Sequence, residues 1–238
     1  MIIDIGNTAA KLAVFDGDKL IEKIKFNNLK IENIKHILSK YPDIKKSILC
    51  SVSNHNNELD VFLESKTQFV LFTTETKIPI NNNYETPKTL GKDRLAAAIG
   101  ANLLYPNQNV LSIDIGTCIK YDFVDDKNTY QGGSISPGIT MRYKALHHFT
   151  GKLPLVPTKT IEVSLIGVDT TSAIQSGVQL GVAAEVNGII EKYNSQYPNL
   201  ICVITGGGAQ QLHKDLNLTI FVTPNLVLQG LNNVLNIN

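Results

Sequence analysis

The sequence predicts an α/β protein built from two related halves, each a mixed sheet covered by helices. The main observation is an internal repeat, because Ile-Asp-Ile-Gly occurs at residues 3–6 and again at residues 113–116. Each copy ends an apolar strand and leads into a returning strand, a turn and a third strand. Helices and strands then follow, so each half is expected to have the order β-β-β-α-β-α-β-α. We therefore predict a duplicated fold, with residues 1–108 as one half and residues 109–238 as the other.

The first half is predicted to contain five strands, three helices and one long loop. Apolar runs predict strands at Met1–Ile5, Ala9–Phe15, Lys19–Phe26, Ser47–Val52 and Gln68–Phe72. Apolar residues at helical spacing predict helices at Ile31–Tyr41, Asn56–Ser65 and Lys92–Tyr105. The polar stretch Lys77–Leu90 predicts a long loop, and a loop of that length in a compact domain is often functional.

The second half repeats this plan with longer helices. The predicted strands are Val110–Ile115, Cys118–Val124, Thr129–Ser136, Leu200–Thr205 and Thr219–Val222. The predicted helices are Ile139–Phe149, Thr170–Tyr193, Ala209–Lys214 and Leu226–Asn236.

Composition excludes several classes of partner and location. The 238 residues are 43% hydrophobic and carry a net charge of +1, so nothing favours binding to nucleic acid or to an acidic membrane surface. No apolar run approaches the roughly 20 residues that span a bilayer. The chain starts with a strand-like segment that no basic stretch precedes, which argues against a secretory signal.

Cysteine and histidine usage favours a cytoplasmic protein without a histidine-built metal site. Cys50, Cys118 and Cys202 lie in apolar, strand-like segments without CxxC spacing, which is typical of reduced core thiols. A reactive thiol is the alternative for any of them. The five histidines show no HExxH or similar spacing.

The two Asp-X-Gly turns are candidates for binding a metal-triphosphate. Glycine at position 6 or 116 allows phosphate oxygens to approach the backbone N–H groups, because no Cβ intervenes. Asp4 can hold Mg²⁺ through water molecules, and Thr8 and Lys11 can supply a hydroxyl and a positive charge. Asp114, Gly116 and Thr117 offer the same groups from the other half. The alternative is a plain hairpin with a polar turn, but two copies in the same strand context favour phosphate binding.

Other phosphate motifs are missing from the sequence, which contains neither GxxxxGK[ST] nor GxGxxG. A third candidate is the glycine turn that follows the strand Leu200–Thr205. Gly206 and Gly207 would let the backbone pack against a flat base or a ribose. A simple turn between a strand and a helix is the alternative.

Together these motifs resemble the superfamily of acetate and sugar kinases, Hsp70 and actin, and the middle of the chain resembles the type III pantothenate kinases. The residues that carry the resemblance are Asp4-Ile5-Gly6-Asn7-Thr8, Lys11, Tyr84, Gly91-Lys92-Asp93-Arg94, Asp114-Ile115-Gly116-Thr117, Gly132 to Gly138, Leu153-Pro154, Ile166 to Thr170 and Gln175-Ser176-Gly177. They cover nearly the whole chain in the family's order. The resemblance implies a duplicated RNase H-like (actin-like ATPase) fold with a nucleotide cleft between two mixed-sheet halves.

It also implies an activity, phosphorylation of pantothenate by ATP to 4'-phosphopantothenate, which is the first step towards coenzyme A. Asp93 would accept the proton, Mg²⁺ would accompany ATP, and a monovalent cation, K⁺ or NH₄⁺, would bind at Asp114. The family forms dimers with the substrate pocket at the subunit interface, so a homodimer is expected. The implied ATP ligands are Asp4, Gly6, Asn7, Thr8, Lys11, Gly116 and Thr117, which Gly206 and Gly207 join. The implied pantothenate ligands are Tyr84, Gly91, Lys92, Asp93, Arg94 and Thr170.

The chain departs from the family pattern at three positions. Lys120 stands where the family usually has small or threonine residues. If its side chain points at the site, its charge would alter or replace the dependence on a monovalent cation, and if it points away, nothing changes. Ile174 replaces a methionine, a mild apolar change, and Lys92 replaces a residue that is commonly small.

The chemistry of the acceptor side can be argued from the residues themselves. Asp93 opens a predicted helix, where it can orient a hydroxyl and take its proton, or serve as a helix cap. Arg94, one of only two arginines, suits a carboxylate or an amide oxygen, or lies on the surface of the helix. Tyr84 either closes over the substrate or anchors the loop. The glycines of residues 132–138 provide space for a ligand or for close packing.

The sequence leaves two other functions open. One is a kinase of the same superfamily that acts on another small alcohol or acid. The other is a nucleotide-binding regulator without transfer activity, against which the presence of Asp93 and Arg94 argues.

Overall fold

The computed structural model describes residues 1–52, 57–158, 163–209, 216 and 220–238. The strands within them are β1 (Ile2–Ile5), β2 (Ala10–Asp16), β3 (Lys19–Phe26), β4 (Lys46–Ser51), β5 (Gln68–Leu71), β6 (Asn81–Asn82), β7 (Val110–Ile115), β8 (Cys118–Val124), β9 (Thr129–Pro137), β10 (Ile201–Thr205) and β11 (Ile220–Val222). The helices are α1 (Ile31–Lys40), α2 (Asn57–Lys66), α3 (Lys92–Leu104), α4 (Ile139–His148), α5 (Thr170–Gln196) and α6 (Leu226–Ile237).

The first sheet has the strand order β3-β2-β1-β4-β5. β1 pairs antiparallel with β2, and β2 with β3, whereas β4 and β5 continue the sheet in parallel with β1. Ile3 and Leu12 are fully buried in the sheet, and the amphipathic helix α1 adds Ile34 and Ile37 to the same core. This arrangement places the β1–β2 turn, residues 6–9, at the carboxyl end of the central strand.

The second sheet has the strand order β11-β10-β7-β8-β9-β6. β7, β10 and β11 are parallel to one another, which aligns the carboxyl end of β7 with that of β10. In this register Asp114 faces Thr205. The turn after β7 and the glycine turn after β10 therefore start at the same edge of the sheet.

Helices α3 and α6 cross at very short range. From Arg94 to Asn102 every residue of α3 is buried, and eight of the twelve residues of α6 are buried. A Cβ on Gly230 would lie 1.9 Å from the carbonyl oxygen of Ala96, and one on Gly100 would lie 2.3 Å from that of Leu226. The two glycines thus allow the backbones to touch.

The elements predicted from periodicity are confirmed over the described residues, with ends that differ by at most three positions. The long loop at 77–90 contains a two-residue strand, Asn81–Asn82, and a 3₁₀ turn at Pro87–Thr89. The outline β-β-β-α-β-α-β-α was wrong for the second half, because α5 follows α4 with no strand among the described residues between them. Pro154 and Pro157 lie in that connection and lack the N–H donors that a strand needs. The two helices predicted in succession at Ile139–Phe149 and Thr170–Tyr193 are confirmed. Of the predicted helix Ala209–Lys214, residues 210–214 lie outside the described residues, as does Thr219.

Contacts divide the chain into two compact units. One contains residues 1–107, 124–132 and 225–238, and the other contains residues 108–123 and 133–224. The predicted halves, residues 1–108 and 109–238, describe the duplication of the sequence rather than these units, and they stay a prediction. Within the described parts of both units, no helix has the length and apolar character needed to cross a membrane.

Candidate active site

The first Asp-X-Gly turn presents polar groups at the end of β1. Asp4 is buried and faces Lys11 across the β1–β2 pair, with 3.6 Å between Oδ2 and Nζ. Gly6 closes the turn by donating its N–H to the carbonyl of Ala9 at 3.1 Å. Asn7 and Thr8 are exposed at the tip. The predicted ligands of this half are thus adjacent, with Asp4 at the base and the exposed groups above it.

A cavity of about 550 Å³ adjoins this turn. Residues 6–10 form one wall, and residues 27–32, with the start of α1, form the other. Its lining is polar at the tip of the turn, where Asn7 and Thr8 lie. The volume lies within the range of small-molecule sites.

The second Asp-X-Gly turn is one residue shorter. Gly116 donates its N–H to the carbonyl of Cys118 at 3.0 Å, and Thr117 is exposed at the tip. Asp114 pairs with Lys120, whose Nζ lies 2.6 Å from Oδ2 of the carboxylate. The side chain of Lys120 therefore points at the predicted site, which resolves the alternative left open by the sequence.

Close packing explains the glycines within β9 and directly after it. A Cβ on Gly133 would lie 1.7 Å from the carbonyl oxygen of Tyr121, and one on Gly138 would lie 2.3 Å from that of Gly116. Gly132 has φ +102°, and a Cβ there would lie 3.3 Å from the ring of Tyr84. These positions favour packing over space for a ligand.

The glycine turn after β10 contacts the second Asp-X-Gly turn. Gly206 has φ +94°, and a Cβ there would lie 2.5 Å from Oδ1 of Asp114. Gly208 donates its N–H to the carbonyl of Ile115 at 2.9 Å. A Cβ on Gly207 would meet nothing within 4 Å, and this residue is exposed. Of the two predicted glycines, Gly206 holds the turn against Asp114 and Gly207 presents an open surface.

Asp93 lies in the first turn of α3, one residue after the helix begins at Lys92. Its Oδ1 accepts the backbone N–H of Arg94 at 2.9 Å. The N-cap residue is Gly91, and a Cβ on Gly91 would lie 2.9 Å from Oδ1 of Asp93. Asp93 is therefore not the N-cap. Glycine at position 91 avoids a clash with the half-buried carboxylate of Asp93.

Arg94 and Tyr84 form one cluster next to Asp93. The guanidinium carbon of Arg94 lies 5.7 Å from the centre of the Tyr84 ring, which stacks on Tyr130 at 6.1 Å. Arg94 is only 4% exposed, so the alternative of a surface arginine is wrong. In this conformation Tyr84 anchors its loop.

Lys92 and Thr170, the remaining predicted substrate ligands, have different environments in the structure. Lys92 lines a cavity of about 260 Å³ with Thr73, Thr76 and Pro87, among others. Thr170 is exposed at the first position of α5, where Asp169 caps the helix by accepting the N–H of Ser172 at 3.0 Å.

A polar network on the second unit was missed by the sequence analysis. The carboxylate of Glu185 on α5 accepts hydrogen bonds from Arg142, from Ser136 at 3.1 Å and from the buried Tyr121 hydroxyl at 2.9 Å. Arg142 also donates to the carbonyl of Pro137 at 2.8 Å. In the sequence, the only feature that could have pointed to Arg142 is that it is one of just two arginines. The network joins α4, α5 and two strands beside the second turn.

This network predicts a pH-dependent contribution to stability. Burial raises the pKa of Glu185, but its hydrogen bonds with Arg142, Ser136 and Tyr121 outweigh burial and lower the pKa below the ordinary value of a glutamate. Because the folded-state pKa is depressed, the stabilisation is present above the unfolded-state pKa and is lost as pH falls through the folded-state value. We expect Glu185→Gln to reduce the unfolding free energy at pH 7 by about 2 kcal/mol. Urea unfolding at a series of pH values should show the difference from wild type shrinking below about pH 4.

Glu191→Gln is the matched control, because Glu191 lies on the same helix and is exposed. That variant should unfold like the wild type at every pH. A Glu185→Gln difference that stayed constant down to pH 3 would contradict the ionic role of Glu185.

Metal ligands are sparse among the described residues, which contain no group of three or more His, Cys, Asp or Glu able to hold an ion. The single carboxylate of Asp4 still suits Mg²⁺, which keeps several waters and takes one or two carboxylates plus phosphate oxygens. Asp114 suits an added monovalent cation poorly, because Lys120 already neutralises its carboxylate.

Comparison with solved structures identifies the class of fold. An activator of 2-hydroxyisocaproyl-CoA dehydratase from Clostridium difficile matches with a TM-score of 0.56 at 16% identity, over 98% of this chain and 91% of that one. An inorganic polyphosphate/ATP-glucomannokinase from Arthrobacter sp. strain KM matches with a TM-score of 0.50 at 14% identity, over 99% of this chain and 97% of that one. The two mixed sheets with their Asp-X-Gly turns therefore have the actin-like ATPase fold.

Sequence comparison narrows this class to one family. The family model for type III pantothenate kinase matches residues 1–192. A type III pantothenate kinase from Flavobacterium johnsoniae is 42% identical over 232 residues, covering 97% of this chain and 95% of the relative. A type III pantothenate kinase from Phocaeicola vulgatus is 43% identical over 239 residues, covering 100% of this chain and 98% of the relative. The chain belongs to the type III pantothenate kinase family.

Proposed function

We propose that this protein transfers the γ-phosphoryl group of ATP to the primary hydroxyl of pantothenate, giving 4'-phosphopantothenate for coenzyme A synthesis. Membership of the family supports the reaction and the use of ATP. The observation that carries the proposal is the acceptor cluster at the start of α3, where Asp93 directly precedes Arg94 and the guanidinium of Arg94 lies over the ring of Tyr84. A phosphoryl acceptor requires a proton acceptor and a means of holding the substrate, and this cluster offers both.

The nucleotide side of the reaction is assigned to the Asp-X-Gly turns. Backbone N–H groups and the hydroxyl of Thr8 would bind phosphate oxygens beside Gly6 and Asn7, and Thr117 would do the same at Gly116. Lys11 is 46% exposed, which supports a side chain that can reach a phosphate. Gly206 and Gly207 would lie against the nucleoside. That both turns bind one nucleotide, in a cleft between the halves, stays a prediction.

On the acceptor side, Asp93 would orient the hydroxyl of pantothenate and take its proton late in the transfer. The position of Asp93 in the first turn of α3 favours a negative charge there. Mg²⁺, held by Asp4 through water, would neutralise charge on the phosphate oxygens. The transition state for phosphoryl transfer is loose, so these residues act mainly by positioning.

Substrate binding would involve movement of Tyr84. Because Arg94 is 4% exposed beneath the Tyr84 ring, a carboxylate or amide of pantothenate can reach the guanidinium only after a neighbouring side chain moves. Tyr84 belongs to the loop at 77–90, whose ends are held by short elements. Gly91, Lys92 and Thr170 complete the proposed substrate contacts.

A homodimer is the assembly that the resemblance implies. Exposed apolar side chains support it, since Phe149 is 80% exposed and Leu165, Ile166 and Val168 on the same unit are similarly open. A cytoplasmic location agrees with the three free cysteines. The resemblance also implies K⁺ or NH₄⁺ at Asp114. The ion pair with Lys120 argues against such an ion, because the carboxylate is already neutralised.

The function can be tested by measuring ADP release with pantothenate, glycerol, hexoses and acetate as acceptors. We expect ADP to form with pantothenate, together with a phosphorylated product. ADP that forms only with a sugar or acetate would point to another kinase of the superfamily. Nucleotide binding without ADP release would point to a regulator.

A further inference from the structure

The ion pair between Asp114 and Lys120 is tight and shielded. Nζ lies 2.6 Å from Oδ2, and the two side chains are only 15% and 16% exposed. The residues stand on neighbouring strands, β7 and β8, and the short turn at Gly116 brings them into register. At this depth water screens the interaction weakly, so the pair persists in the folded protein.

The first turn offers an internal comparison. There Asp4 and Lys11 are 3.6 Å apart, and Lys11 is 46% exposed. That turn is one residue longer, so the two copies place the lysine differently. Lys11 can leave its carboxylate for a phosphate, whereas Lys120 is held where it is. The two copies of the turn therefore differ in their lysine: the ammonium group of Lys11 is exposed, and that of Lys120 is held against Asp114.

The other oxygen of Asp114 is also enclosed. A Cβ on Gly206 would lie 2.5 Å from Oδ1, and one on Gly116 would lie 3.7 Å from it. The carboxylate therefore has Lys120 against Oδ2 and two glycines beside Oδ1. An added ion would have to displace the ammonium group or lie next to it. Two positive charges at such a short distance repel each other, and they repel more strongly in a shielded site than in water.

We propose that the ammonium group of Lys120 takes the place of the monovalent cation beside Asp114, so that this kinase requires neither K⁺ nor NH₄⁺. An alkylammonium carries the same single charge as either ion and presents N–H donors as NH₄⁺ does. Because the group is tethered, it neutralises Asp114 at any salt concentration. The role in the reaction rests on the function proposed above, but the exclusion of the cation does not.

The test compares the wild type with Lys120→Thr at constant ionic strength, with KCl, NH₄Cl or choline chloride. For the wild type we expect phosphorylation of pantothenate in K⁺ within about twofold of that in choline, because the site is already neutralised. Lys120→Thr should lose activity in choline and recover about tenfold or more in K⁺ or NH₄⁺. Lys127→Thr is the control, since Lys127 is exposed in the β8–β9 turn and should leave the response unchanged.

A binding measurement separates this inference from the proposed function. Tl⁺ substitutes for K⁺ and can be titrated against the protein by thallium NMR, whatever reaction the enzyme catalyses. We expect saturable Tl⁺ binding to Lys120→Thr, or to Lys120→Gln should the first variant fold poorly, and none to the wild type. Saturable binding to the wild type that K⁺ reverses, or strong activation of the wild type by K⁺, would overturn the inference. Absence of phosphopantothenate in every salt would instead reject the proposed function.

Discussion

Replacement of Asp93 by asparagine should lower kcat by about 10²–10⁴-fold, the range expected for loss of a proton acceptor. The substitution keeps the size of the side chain and its ability to accept the N–H of Arg94, which Oδ1 now accepts at 2.9 Å. It removes the negative charge that would take the hydroxyl proton. Nucleotide affinity should be retained, because the proposed phosphate ligands lie on the Asp-X-Gly turns. Steady-state kinetics with pantothenate and calorimetric titration of Mg-ATP measure the two effects.

A second carboxylate in a helical first turn provides the control. Asp60 lies in the first turn of α2 in the same unit, so Asp60→Asn changes charge in a similar context. That variant should retain wild-type kcat. If Asp93→Asn also retained it, Asp93 would be only a structural residue of the helix start, where a carboxylate contributes about 0.3–1 kcal/mol.

The second large effect concerns stability and the crossing of α3 and α6. Gly230→Ala should reduce the unfolding free energy by at least about 2 kcal/mol, because overpacking a tight contact forces backbone shifts. The added Cβ would lie 1.9 Å from the carbonyl oxygen of Ala96 and 2.9 Å from the backbone nitrogen of Gly100. These are backbone atoms within a helix, so no side chain can rotate away. Urea unfolding followed by circular dichroism measures the loss.

Gly188→Ala is the matched control for this variant. Gly188 lies within α5, and a Cβ there would meet nothing within 4 Å. Replacing a helical glycine by alanine without a clash should stabilise the protein by about 0.5–1 kcal/mol. A Gly230→Ala variant as stable as the wild type would contradict the close contact between α3 and α6.

Much of the fold could be predicted because it depends on local periodicity. The apolar run in β1 and the helical spacing in α1 are properties of neighbouring residues, and both elements appear where they were expected. The outline for the second half was wrong because it assumed strict repetition of the first half, whereas Pro154 and Pro157 disfavour a strand between α4 and α5. The two helices themselves were predicted in the right order. The site residues assigned by resemblance remain predictions, although the structure places Asp93 directly before Arg94 and the Arg94 guanidinium over the ring of Tyr84.

Several features of the candidate site could not be obtained from the sequence. The burial of Arg94 follows from the packing of α3 and from the ring of Tyr84, which lies in a separate loop. The network of Arg142 and Glu185 joins residues 43 positions apart. Such contacts depend on how helices pack on a sheet, and no spacing along the chain encodes them directly.

The amino-acid sequence was sufficient to establish the strands and helices, the repeated Asp-X-Gly turns and the family. These follow from patterns among residues that are close in the chain or matched between its two copies. The three-dimensional packing established that Lys120 faces Asp114, that Gly138 and Gly206 lie against the second turn, and that Arg94 is buried. Side-chain direction at a strand end depends on the length of the turn and on the neighbouring strand, so it becomes known only when those elements are assembled.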